Sequence, residues 1–205
     1  MKRWITAVAV GLGLAGSSAA MAQAAVNQPA PAFSVQDATG KTVKLADFKG
    51  KYVVLEWVNP GCPFVQKHYN SANMPATQKD ALAKGAVWLA VSSTAKEAGD
   101  YRPPADLAGW LTSKSAATTA TLMDDDGKIG RSYGARTTPH MYVIDPQGKL
   151  VYAGAIDSKP TANPADIKSA TNYVRQALDE VFAGKPVSQP TTQAYGCSIK
   201  YASAG

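Results

Sequence analysis

Apolar positions along this chain repeat with two different periods, and the changes of period mark out its elements. Phe33-Ser34-Val35-Gln36 and Thr42-Val43-Lys44-Leu45 alternate around the turn Asp37-Ala38-Thr39-Gly40, which predicts a hairpin. Tyr52 to Val58 and Ala86 to Val91 are near-continuous apolar runs of strand length, the pattern of strands covered on both faces. Between them, Pro63 onward predicts a helix carrying Phe64, Val65, His68 and Tyr69, with a break or kink at Pro75 and a second helical piece over Ala76 to Ala83. Pro103 to Leu111 predicts a further helix and Thr119 to Met123 a short strand. Met141 to Ile144 and Leu150 to Ala153 flank Asp145-Pro146-Gln147-Gly148 as a second hairpin. Asp166 to Ala183 reads as one helix, its stripe running Ile167, Ala170, Val174, Ala177, Leu178, Val181 and Phe182 before Gly184. Strand-helix-strand order gives a mixed α/β sandwich, a central sheet with helices on both faces.

The first residues change the picture of where this domain works. Met1-Lys2-Arg3, an apolar stretch to Gly16 and a small-residue run ending at Ala24 read as a secretory signal peptide cut after Ala24. The expected organisation is therefore a leader over 1–24, one domain over 25–184, and a Gly/Pro/Thr-rich tail over 185–205. The expected compartment is a bacterial periplasm, where disulfides persist. Loss of Lys2 and Arg3 with the leader lowers the formal charge from +6 to +4, and the basic residues are spread singly. That argues against nucleic-acid binding. No later segment is long and apolar enough to span a bilayer.

The chain has two cysteines, Cys62 and Cys197. Cys62 falls where a buried strand turns into a helix, and Pro63 suits the first helical position. Unpaired amides and the partial positive charge at a helix start favour thiolate over thiol. Cys197 lies far along the tail, read as a flexible arm. It can pair reversibly with Cys62 as a resolving thiol, form a fixed staple, or stay apart. Around Cys62, Glu56 is either a proton shuttle raised by burial or a strand-end acid facing water. Asn59 either bonds the sulfur or shapes the Asn-Pro-Gly turn, and the turn is favoured. Lys67 and His68 stand more than a turn beyond the sulfur and can raise the local positive potential. His68 and His140 without a cysteine cluster argue against a dedicated zinc or copper site.

Together these motifs resemble the thioredoxin fold, and within it the peroxiredoxin-like redoxins of the alkyl hydroperoxide reductase and thiol-specific antioxidant group. The residues that carry the likeness are Ala32-Phe33-Ser34-Val35, Asp47-Phe48-Lys49-Gly50-Lys51, Glu56-Trp57, and Cys62 through Tyr69. Gly130 through His140 and Tyr195 through Tyr201 complete it. The resemblance implies a thioredoxin-like sandwich with an extra N-terminal hairpin and a cis proline at Pro139, after Thr138, beside the thiol. It implies exchange with a thiol/disulfide protein or small thiol, with peroxide as a further substrate and an external dithiol as reductant. No cofactor is called for, since sulfur carries the electrons. Departures are visible too. Thioredoxins carry the first of two closely spaced cysteines where Asn59 stands. Peroxiredoxins carry a Thr or Ser there, and an Arg about where Pro139 lies. A slow thiol peroxidase and a catalytically silent protein- or metal-binding module are the alternatives.

Overall fold

The computed structural model describes residues 23–203, so the expected leader lies outside the described residues apart from its last two positions. The strands are β1 (Ser34–Gln36), β2 (Thr42–Lys44), β3 (Val53–Trp57), β4 (Val87–Ser92), β5 (Ala120–Met123), β6 (Thr137–Thr138), β7 (His140–Ile144), β8 (Leu150–Gly154) and β9 (Cys197–Ser198). The helices are α1 (Pro63–Asn70), α2 (Asn73–Ala83), α3 (Pro104–Ser113), α4 (Lys128–Tyr133) and α5 (Tyr173–Phe182). Five strands form the central sheet in the order β5-β4-β3-β7-β8. β3, β4 and β5 run parallel, while β7 and β8 are antiparallel to their neighbours. The β1-β2 pair is the extra hairpin.

Alternation along β3 sorts its side chains between two cores. Val54 lies in one core with Val65, Met74, Leu107, Val174 and Leu178, from α1, α2, α3 and α5. Leu55 and Trp57 point the other way, toward Ile129 and Tyr133 of α4 and Phe33 and Val43 beside the hairpin. Every residue of β3 and β4 is buried, as their unbroken apolar runs require. The result is the thioredoxin-like sandwich that the motifs implied. Among the described residues no helix is long and apolar enough to cross a membrane.

Two helix boundaries differ from expectation. Pro75 sits inside the first turn of α2, where its missing N–H costs nothing, and the chain breaks earlier, at Ala72, whose φ is 59°. The helix expected over 166–183 is divided. Pro164–Ser169 is a 3₁₀ turn, and α5 starts only after Asn172, whose side chain accepts from Arg175 N. Asn172 is also bridged to Asp157. That local cap and pairing outweigh the apolar stripe through Ile167 and Ala170.

Candidate functional site

Cys62 is the residue that caps α1, in an extended conformation with Pro63 at the first helical position. Its N–H donates to Asn59 O (3.0 Å) and its carbonyl accepts from Gln66 N (2.9 Å), so the strand-to-helix turn is fixed on both sides of the sulfur. Asn59 shapes that turn by accepting from Gly61 N (2.8 Å), and its amide donates to Asp100 Oδ2 (3.0 Å). The Thr138-Pro139 peptide bond is cis. Cys62 Sγ lies 3.0 Å from the Thr138 carbonyl oxygen.

Cys197 is bonded to Cys62, with their α-carbons 5.8 Å apart and a sequence separation of 135. The expected flexible arm is instead laid against the domain. β9 pairs antiparallel with β6, setting Cys197 opposite Thr138. Gly196, with φ of 135°, passes so close that a β-carbon there would overlap the Thr138 carbonyl. A side chain must therefore push the tail off the strand or strain it by roughly 1–3 kcal/mol. Gly196→Ala is expected to lower the equilibrium constant for closing the bridge by about tenfold or more. Alkylation-based titration in glutathione buffers reads that constant, and a value equal to wild type would show that the close approach is dispensable.

The remaining expected residues divide between the sulfur and more distant roles. Glu56 does not face water. It is fully buried, where its carboxylate accepts from Tyr69 OH (2.8 Å), Trp88 Nε1 (2.7 Å) and Gln78 Nε2 (3.0 Å). Burial lifts its pKa to about 7, against the downward pull of those three donors. Lys67 Nζ is buried with Asp157 Oδ2 at 3.3 Å and donates to Lys159 O (2.8 Å). Its charge is thus paired in the interior. Burial brings His68 down to about 4, with Asp157 opposing the shift and Lys67 adding to it. A neutral imidazole supplies no positive potential to the thiol, so this part of the expectation fails for His68. Among the described residues no three His, Cys, Asp or Glu side chains gather as a metal would need.

Two contributors escaped the residue-by-residue reading. Asp157 and Tyr195 complete the buried cluster on α1, with Tyr195 OH donating to Asp157 Oδ1 and lying 3.2 Å from His68 Nε2. From Cys197 onward exposure alternates, with Cys197, Ile199 and Tyr201 partly buried and Ser198 and Lys200 exposed. This two-residue alternation is a strand signal that the tail's Gly/Pro/Thr content obscured.

A model of the AhpC/TSA family matches residues 26–153. The thiol-disulfide oxidoreductase ResA of Bacillus thuringiensis is 26% identical over 133 residues, 62% of this chain and 67% of its own length. An uncharacterised conserved protein of Geobacillus kaustophilus superposes with a TM-score of 0.74 at 26% identity, covering 88% of this chain and 94% of its own. The thioredoxin domain of a thiol-disulfide oxidoreductase from Bacteroides vulgatus gives a TM-score of 0.51 at 28% identity, over 63% and 87% respectively.

Proposed function

We propose that this chain, which belongs to the AhpC/TSA family, is a thiol-disulfide oxidoreductase that carries an electron pair on the sulfurs of Cys62 and Cys197. The observation that carries the reading is the bridge itself, which joins a helix-start cysteine to a tail cysteine beside a cis proline. Likeness to relatives described as thiol-disulfide oxidoreductases supports it. The reading includes export to an oxidising compartment, supported by the pattern of residues 1–24.

Burial orders the chemistry. Cys62 is 2% exposed, while Cys197 is only partly buried. A partner's thiolate therefore meets Cys197 Sγ first, which reverses the resolving role expected of the tail cysteine. As the new sulfur-sulfur bond forms, the Cys62–Cys197 bond breaks and Cys62 leaves as a thiolate, favoured by the α1 amino end. The partner's second thiolate then attacks its own sulfur in the mixed disulfide. That step frees Cys197, leaves the partner oxidised and places two electrons on the cysteine pair. The reverse sequence reduces a disulfide substrate.

The oxidised full chain is expected to catalyse reduction of insulin disulfides by dithiothreitol, with Cys62→Ser and Cys197→Ser each falling to the uncatalysed rate. Full activity in either variant would sink the two-sulfur mechanism. Brief exposure of the wild type to glutathione, followed by acid quenching and peptide mapping, should place the adduct on Cys197. Predominant modification of Cys62 would reverse the order of attack. Hydrogen peroxide is a weaker substrate under this reading, because Cys62 is covered and Pro139 stands about where a peroxide-binding Arg is expected.

A further inference from the structure

The cluster of Lys67, His68 and Asp157 has no place in the exchange chemistry, yet these three residues are 2%, 0% and 2% exposed. Burying three ionisable side chains is costly unless each is paired and hydrogen-bonded. Their pairing is completed from outside the domain's helices and sheet, by Tyr195 of the tail. Tyr195 OH donates to Asp157 Oδ1, whose other oxygen faces Lys67. Since that hydroxyl proton is committed to Asp157, its oxygen is left to accept from His68 Nε2 at 3.2 Å. Asn73 Nδ2 lies 2.8 Å from His68 Nδ1 and can donate to it, which fits the same neutral tautomer. The Tyr195 ring lies 5.6 Å from Lys67 Nζ and meets Phe64 edge-on at 5.8 Å between centroids.

The spacing ties this socket to the sulfurs. Cys62 and His68 are separated by about 9 Å of helical rise, and Tyr195 and Cys197 by about 7 Å of extended chain. The two segments are close enough in length for the tail to dock its tyrosine against the last turn of α1 while its cysteine reaches the start. None of the socket contacts involves sulfur. Beyond Cys197 the tail is held again: Ile199 N donates to Arg136 O (3.0 Å), Ala95 N donates to Lys200 O (2.8 Å), and Tyr201 OH donates to Ala135 O (2.7 Å). Tyr201 crosses Gly130 so closely that a β-carbon there would strike its ring.

From this juxtaposition we infer that Tyr195 is a positioning residue, and that the Lys67-His68-Asp157 socket holds Cys197 in register with Cys62 after the bridge has been reduced. This deepens the oxidoreductase reading and rests on it. The reduced tail does not drift away, so reclosure is intramolecular between thiols already aligned.

Full-length wild type, Tyr195→Phe and Tyr195→Ala are equilibrated in glutathione redox buffers, and the bridged fraction is read from alkylation mass shifts. Tyr195→Phe keeps the ring but deletes a hydrogen bond to a charged carboxylate, so the effective concentration of the two thiols is expected to fall about tenfold. Tyr195→Ala should lower it further. Hydrogen exchange on the reduced wild type should find the Ile199 amide protected, with that protection lowered in Tyr195→Ala, where only the anchors beyond Cys197 remain, while the amides of β3 and β4 stay protected. Equilibria equal to wild type in both variants, or free exchange of the reduced tail, would overturn the inference. The experiment is separable from the functional one, because it measures bridge closure without turnover. A chain inactive on insulin but sensitive to Tyr195 refutes the activity alone, and an active chain insensitive to Tyr195 refutes the latch alone.

Discussion

Reduction of the Cys62–Cys197 bridge is expected to lower the stability of the full chain by about 4–5 kcal/mol in urea unfolding, the loss that the chain-entropy model assigns to a loop of more than a hundred residues. The bond spans 135 residues, from the start of α1 to the last strand, so its opening frees most of the unfolded chain from a single constraint. The native tail keeps its other anchors through Tyr195, Ile199 and Tyr201, and the effect is therefore exerted largely on the unfolded ensemble. Wild type with and without a phosphine reductant gives the difference, and the Cys62→Ser/Cys197→Ser double variant should not respond to the reductant. A shift below about 1 kcal/mol would mean that the unfolded chain is already held compact or that the bridge strains the native state. The coupling is reciprocal: if the bridge stabilises the fold, folding favours the bridge by the same free energy.

Cys62 was legible because its signals are local. An apolar strand, a turn with Asn59 and Gly61, and Pro63 fall within a dozen residues, and the structure places the sulfur at the helix start they define. The hairpins and the two central strands were legible for the same reason, since alternation and unbroken apolar runs report directly on burial. Glu56 shows the limit. A lone acid in an apolar strand does not reveal that Tyr69, Gln78 and Trp88 converge on it from α1, α2 and β4. The tail was misread for a related reason. Its composition resembles a linker, whereas its docking depends on partners roughly 40 to 130 residues away, among them Asp157 and His68. Tertiary pairing of this kind leaves no local mark beyond the spacing of Tyr195, Cys197, Ile199 and Tyr201.

The caged carboxylate of Glu56 sets the second large effect, in the pH dependence of stability. Its folded pKa of about 7 lies above the ordinary value of 4.5 that the unfolded chain retains. Between those values the folded state binds more protons than the unfolded state, so the Glu56 contribution falls as pH rises from about 4.5 to about 7 and is constant above. The loss amounts to about 3 kcal/mol over that window. The wild-type profile alone does not display it. Burial lowers both His68 and His140 to about 4, and each contributes stability that rises with pH from about 4 to 6.5, opposing Glu56. Comparison with Glu56→Gln isolates the carboxyl group. The amide keeps an oxygen for Trp88 and Gln78, offers an N–H to the Tyr69 oxygen, and cannot ionise. Urea unfolding of both proteins from pH 4.5 to 8 should show the wild type losing about 3 kcal/mol relative to Glu56→Gln, with the change centred below pH 7. Parallel profiles would mean that the three donors keep Glu56 ionised despite its burial, and the cage would then act as a fixed negative charge beneath α1 rather than a proton store.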